Sequence, residues 1–192
     1  MNYLVPALIA AQIASLFVFS TVAIWYVAPT LNARKRAHAL VPLLWVHVFR
    51  YLALQAFRAQ QDGFPASDAH VMNIVLGDLA GAAIALAALY AFRFRARFGI
   101  ALSWLLCAEF AYDTFANVRS GIHEHLFGQS RGVSWLVVAV YVPLLVVTTV
   151  LLVWQLYARR GEALGAANVA PSEPRAGSMT RGSALAPNPV AL

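Results

Sequence analysis

Four charged side chains and one histidine lie inside long apolar stretches of this chain. They are His47, Arg50, Asp78, Glu109 and Asp113. Glu109 and Asp113 are four residues apart, so a helix would place both carboxyls on one face, and His47 and Arg50 would share a face in the same way. A guanidinium can donate to more than one carboxylate. These residue types suit the binding of a proton, a cation or a small polar solute, and two carboxyls with a histidine could also do acid–base chemistry.

The composition indicates that these side chains belong to an integral membrane protein. Hydrophobic residues make up 61% and charged residues 11% of the chain, and the mean hydropathy is +0.67. Soluble domains contain about 45–50% apolar and about 25% charged residues. The net charge of +6 would suit nucleic acid in a soluble protein, but the basic residues flank apolar spans, so we expect no nucleic-acid partner. The single cysteine, Cys107, excludes an internal disulfide.

Five apolar spans predict an all-α, five-helix membrane bundle over residues 1–160. A bilayer-spanning helix needs roughly 20 mostly apolar residues, and the spans cover 3–28, 40–58, 71–92, 98–118 and 133–157. Residues 161–192 are rich in Ala, Gly, Ser and Pro, which predicts a disordered cytoplasmic tail.

The basic residues alternate between the loops, and this alternation predicts the orientation. Eight of them follow the first, third and fifth spans, and three lie in or beside the other two loops. The positive-inside rule then places the N-terminus outside and the C-terminus in the cytoplasm, as a multi-pass protein of the bacterial inner membrane. The eight are Arg34, Lys35, Arg36, Arg93, Arg95, Arg97, Arg159 and Arg160, and the three are Arg58, Arg119 and Arg131.

The charged residues of different spans are expected at nearly one depth. A rise of 1.5 Å per residue brings Arg50, Asp78 and Glu109 close to the bilayer midplane, with Gln12 of the first span near the same level. Asp78 adjoins the Gly77–Gly81 pair, whose spacing lets a neighbouring helix approach closely. The simplest arrangement is a buried cluster in which Arg50 binds two carboxylates. Because one cation faces three carboxyls, at least one carboxyl should be protonated, or compensated by His47 or a ligand.

Two interpretations of this cluster stay open. Ionisable groups within membrane spans are functional candidates, but ion-pair networks also arise for structural reasons. The leading hypothesis is therefore binding or permeation of a proton, cation or polar solute. The alternative is an accessory subunit of a larger membrane complex, in which the cluster only fixes the fold. An enzyme ranks third because no nucleophile motif accompanies the carboxyls. Partners other than the lipid bilayer, including a homo-oligomer, stay open.

A second group of polar residues falls in the predicted outer loops. Asp68, His70 and the run His123–His125 offer histidines and carboxylates that could bind a transition metal. The order His-Glu-His differs from the His-Glu-x-x-His spacing of zinc proteases. We therefore interpret these residues as solvated loop residues and predict no metal site.

No cofactor is expected. A haem between two histidines would need histidines deep in two spans, and only His47 is deep. A retinal Schiff base would need a lysine inside a helix, whereas the only lysine, Lys35, lies in a loop. The glycines of the loops are isolated and form no phosphate-binding loop.

Three short motifs suggest a family. The stretches Trp45-Val-His-Val-Phe-Arg-Tyr51, Gly77-Asp-Leu-Ala-Gly-Ala-Ala83 and Tyr141-Val-Pro143 resemble those of small bacterial membrane proteins that are catalogued as uncharacterised. The resemblance covers residues 40–157. It implies five helices and Arg50 and Asp78 as a matched pair, and it implies no activity.

Overall fold

The computed structural model describes residues 3–94, 97–126, 128–130 and 132–162. Its five long helices are α1 (Leu4–Asn32), α2 (Arg36–Gln61), α3 (Asp68–Arg93), α4 (Phe98–His123) and α5 (Gly132–Ala158). No strand occurs within the described ranges, so the predicted all-α fold is confirmed. The predicted disordered tail lies outside the described residues, apart from Gly161 and Glu162.

The helices are longer than the apolar spans that predicted them. Helix α2 begins at Arg36 rather than at residue 40, and α4 continues to His123 rather than ending at residue 118. Hydropathy detects only the apolar part of a helix, because polar residues at the ends lower the average without breaking the backbone hydrogen bonds. Apart from residue 3, which precedes α1 by one residue, the predicted bounds therefore lie inside the helices.

Within the described part of the chain, four helices are long and apolar enough to cross a membrane: α1, α2, α3 and α5. Helix α4 is as long as α3 but is not one of the four, and it carries Glu109 and Asp113 near its middle.

Helix α2 lies between α3 and α5, α4 packs along α3, and α1 packs on α5. Leucines of α2, α4 and α5, including Leu40, Leu44, Leu106 and Leu152, fill the core. Small residues of α3, such as the fully buried Ala85 and Ala88, allow the neighbouring helices to approach closely. The charged residues of α2, α3 and α4 therefore lie between helices that are in direct contact.

Three helices contain irregular turns. Helix α1 widens to a π-helix at Ala23–Val27 and α5 does so at Val137–Tyr141, in each case two residues before a proline, Pro29 or Pro143. Proline has no N–H and its ring clashes with the carbonyl four residues earlier, so a widened turn accommodates it. Helix α2 instead tightens to a 3-10 helix over Phe49–Leu54. This stretch contains Arg50.

Arginines cap the helix ends at one end of the bundle. Arg159, just after α5, donates to the carbonyls of Asn32 and Arg34 at 2.6 and 2.7 Å. Arg36, the first residue of α2, donates to the carbonyl of Leu156 at 3.2 Å. The last carbonyls of a helix lack partners within the helix, and cations are stabilising there. These contacts bring the end of α1, the start of α2 and the end of α5 together.

Candidate functional site

Arg50 lies at the centre of a cluster of three carboxyls, which we call the Arg50 cluster (Arg50, Asp78, Glu109 and Asp113). Its Nε donates to Asp78 Oδ1 at 2.7 Å and its Nη2 donates to Asp113 Oδ2 at 2.9 Å. Nη1 and Nη2 each donate to one carboxylate oxygen of Glu109, the latter at 3.1 Å. The arginine of α2 thus binds all three carboxyls of α3 and α4, where the sequence predicted two.

Two glycines of α3 make room for this cluster. A Cβ atom at Gly81 would lie 1.9 Å from Arg50 Nη1 and 2.8 Å from Glu109 Oε2. A Cβ atom at Gly77 would lie 2.0 Å from Asp113 Oδ1. The small-residue spacing predicted close approach of a helix. In the structure, charged side chains of α2 and α4 come against these two glycines.

Two further residues belong to the cluster and were missed in the sequence. Asn117 Nδ2 donates to Asp113 Oδ1 at 3.1 Å, and the Arg50 guanidinium carbon lies 5.5 Å from the centroid of the Phe110 ring, a cation–π distance. The spacing of Glu109, Asp113 and Asn117, four residues each, could have revealed Asn117 because it continues the same helix face. Phe110 carries no such signal in an apolar span.

His47 and Gln12 are separate from the carboxyls. His47 is fully buried, and its Nε2 lies 3.4 Å from Thr149 Oγ1 and 3.5 Å from Thr148 Oγ1 on α5. Among the described residues its Nδ1 has no hydrogen-bond partner. Gln12 donates to the carbonyl of Val138 in the π-helical turn of α5. Neither side chain forms a described hydrogen bond to Asp78, Glu109 or Asp113.

The cluster is electrostatically unbalanced. Among the described residues, Arg50 is the only cation that forms an ion pair with its three carboxyls. The Arg50 side chain is 0% exposed, whereas those of Asp78, Glu109 and Asp113 are 21%, 15% and 11% exposed. With every carboxyl ionised, two negative charges would remain uncompensated in a largely buried site. The carboxylates of this arrangement can accept protons.

The polar residues of the two predicted outer loops form contacts between helices. Ser67 donates from its backbone N–H and its hydroxyl to Glu124, at 3.0 and 2.7 Å, and these hydrogen bonds lower the pKa of the Glu124 carboxyl. His70 Nδ1 lies 2.6 Å from Ser120 Oγ, and Asp68 accepts from Gln60. Within the described ranges, no three His, Cys, Asp or Glu side chains converge as metal ligands. These loops therefore meet, and their polar residues join the start of α3 to the end of α4.

The fold and the site together define an all-helical protein with four membrane-competent helices and a buried arginine bound by three carboxyls. The chain belongs to the family described as "Domain of unknown function (DUF8737)", whose sequence profile matches residues 7–157. The matched range contains the whole Arg50 cluster, and the expectation of an uncharacterised family is confirmed. No curated protein and no solved structure matches the chain.

Proposed function

We propose that the protein is a five-span protein of the bacterial inner membrane, with its N-terminus outside and its C-terminus in the cytoplasm. Four helices are apolar enough to span, and α4 becomes compatible with a bilayer because Glu109 and Asp113 bind Arg50. Large apolar side chains such as Phe17, Trp25 and Tyr26 are exposed on α1, and contiguous exposed apolar surface of this kind suits contact with lipid.

Reporter fusions test this orientation. A reporter placed after residue 160 and one inserted within residues 59–70 should report opposite sides of the membrane, with the former in the cytoplasm. If both reporters gave the same compartment, the five-span topology would be wrong.

We propose further that the Arg50 cluster binds a proton or a small cation and supports its permeation. The observation that carries this proposal is the ratio of three carboxyls to one guanidinium. An uncompensated charge within a bilayer costs about 2.5–3.5 kcal/mol on insertion scales. This cost favours occupation of the cluster by a positive species, and the net negative charge favours a proton or cation over a neutral solute.

The test uses the full chain in proteoliposomes, with flux followed by a pH-sensitive dye after a pH or cation gradient is imposed. Glu109→Gln keeps size and hydrogen bonding while it removes one acidic group, so this variant should fold but lose most of the flux. Asp62→Asn is the matched control, because the Asp62 carboxyl is exposed and pairs with Arg58 outside the cluster. A well-folded Glu109→Gln protein with wild-type flux would refute the permeation proposal.

A second function, that of a structural or accessory subunit of a larger membrane complex, is favoured by the tight fit around Arg50. Gly77 and Gly81 leave no room for a methyl group beside the cluster, as expected of a network that fixes helix register. In that case Glu109→Gln should retain both fold and co-purifying partners, and wild-type proteoliposomes should show no flux above empty vesicles.

A further inference from the structure

A groove separate from the Arg50 cluster runs between α1, α2 and α5. Its volume is about 380 Å³, within the range of about 300–1,000 Å³ that ligand pockets occupy. Aliphatic side chains form most of its wall, among them Val27 of α1, Leu43 of α2 and Val147 of α5. Helix α1 contacts α5, and the groove lies where residues of α1, α2 and α5 come together.

The two threonine hydroxyls of this wall are already satisfied. The Thr30 hydroxyl donates to the carbonyl of Tyr26 at 2.6 Å, and the Thr148 hydroxyl donates to the carbonyl of Leu144 at 2.9 Å. A hydroxyl bound to its own helix backbone offers little to a polar ligand. The groove therefore presents a hydrocarbon surface, which suits an acyl chain better than a polar solute.

One end of the groove is cationic. Arg34 lines it and also lines an adjoining groove with His38 and Trp45 of α2. Arg34 and its neighbour Lys35 are exposed, and within the described residues their side chains form no ion pair. A free guanidinium is a strong binder of phosphate. Arg34, just before α2, thus lies at the cationic end of the groove, and His38 and Trp45 follow it in the adjoining groove.

The length of the groove matches one leaflet. Phe19, which lines the groove, and Asn32, the last residue of α1, are separated by roughly 20 Å at the helical rise, and Arg34 follows two residues later. One leaflet including its headgroups spans roughly half of the 40–45 Å bilayer. We propose that the groove binds an anionic phospholipid, with one acyl chain along α1 and α5 and the phosphate at Arg34.

This inference rests on the proposed membrane placement and does not involve the Arg50 cluster. In the proposed orientation Arg34 lies at the cytoplasmic surface, the leaflet that carries negative surface potential. The Glu109→Gln variant should therefore bind lipid as the wild type does, so failure of the permeation proposal and failure of the lipid site give different results.

Native mass spectrometry of the full chain tests the proposal, with phosphatidylglycerol and phosphatidylcholine of identical acyl chains titrated into detergent solution. One phosphatidylglycerol should be retained in preference to phosphatidylcholine. Loss of one cation near a phosphate should weaken this binding about five-fold in Arg34→Gln. Lys35→Gln is the matched control, because it removes the same charge one residue away but lines neither groove. Val147→Trp, which fills the groove, should abolish retention of the lipid without unfolding the protein.

Three results would overturn the proposal. Equal retention of both lipids, or equal effects of Arg34→Gln and Lys35→Gln, would remove the role of Arg34. Inorganic phosphate that competes as well as the whole lipid would show an anion site without an acyl-chain site. A lipid-independent dimer that Val147→Trp converts to monomer would show that a second copy of the chain occupies the groove.

Discussion

Replacement of Gly81 by alanine tests the geometry of the Arg50 cluster directly. Alanine is favoured over glycine in a helix interior by about 0.8–1.0 kcal/mol, so the change should stabilise α3 wherever space allows. At Gly81 the new Cβ would lie 1.9 Å from Arg50 Nη1 and 2.4 Å from its Cζ. Three carboxyls hold this guanidinium, so it cannot move away while it keeps its ion pairs.

The expected change in the free energy of unfolding follows from two opposed effects, the gain in helix propensity and the loss of an Arg50 ion pair. Loss of one partner from a buried ion pair typically costs about 3–5 kcal/mol. After the helix-propensity gain is subtracted, Gly81→Ala should lower the free energy of unfolding by about 2–4 kcal/mol. Gly77→Ala should cost less, because its Cβ meets the Asp113 carboxylate, and displacement of that carboxylate breaks one of the three ion pairs of Arg50 and leaves the other two.

The assay is unfolding of the purified protein in detergent with increasing sodium dodecyl sulfate, followed by circular dichroism. Gly161→Ala serves as the control, since a Cβ atom at Gly161 would meet no atom within 4 Å, and its unfolding curve should superimpose on that of the wild type. If Gly81→Ala proved as stable as the wild type or more stable, Arg50 could not occupy the position described, and the argument for the cluster would be refuted.

Three further predictions concern single side chains. Arg50→Ala should lower the free energy of unfolding by about 3–5 kcal/mol, measured in the same assay, and a loss below 1 kcal/mol would contradict burial of the cluster. The Glu124→Gln variant should have a lower melting temperature than the wild type at neutral pH. Because folding lowers the pKa of Glu124 from its ordinary value of 4.5, the ionised carboxylate stabilises the fold at pH values above 4.5. This contribution is lost as the pH falls through the pKa of the folded state. The melting curves of the two proteins should therefore converge in acid. Arg159→Gln should lower the free energy of unfolding by about 0.5–1.5 kcal/mol, because the carbonyl of Asn32 loses its hydrogen bond. Arg160→Gln, the control, should lower it by less. Equal losses in the two variants would contradict the capping role of Arg159.

The helices and the level of the cluster were predictable because they depend on local sequence. Apolar runs located five helices, and counting residues at a fixed rise placed Arg50, Asp78 and Glu109 at one level. In the structure the Arg50 guanidinium donates hydrogen bonds to both Asp78 and Glu109. The binding of Asp113 by the same guanidinium was not predicted, because helix periodicity fixes the face of a residue but not the distance between two helices.

Other features depend on three-dimensional context that the sequence does not carry. His47 shares a face with Arg50 in the sequence, yet its ring contacts threonines of α5. The π-helical turn ending at Tyr141 precedes Pro143, and Tyr141 also donates to the carbonyl of Val46 across the two helices. Arg36 and Arg159 contribute to the charge pattern that predicts orientation, and their capping of helix ends is visible only after folding.

The distribution of charge in the Arg50 cluster bears on the choice between a structural network and a binding site. One carboxylate can already accept two hydrogen bonds from a guanidinium, as Glu109 does here, so a network that only fixes helix register would need fewer acidic groups. Each additional buried carboxylate is destabilising unless a proton or cation neutralises it. The fully buried arginine lies inside, and the three carboxyls around it are the partly exposed groups. Under the proposed function a positive species neutralises this surplus acid, so Glu109→Gln should keep the fold and lose the binding, whereas a purely structural network should lose neither.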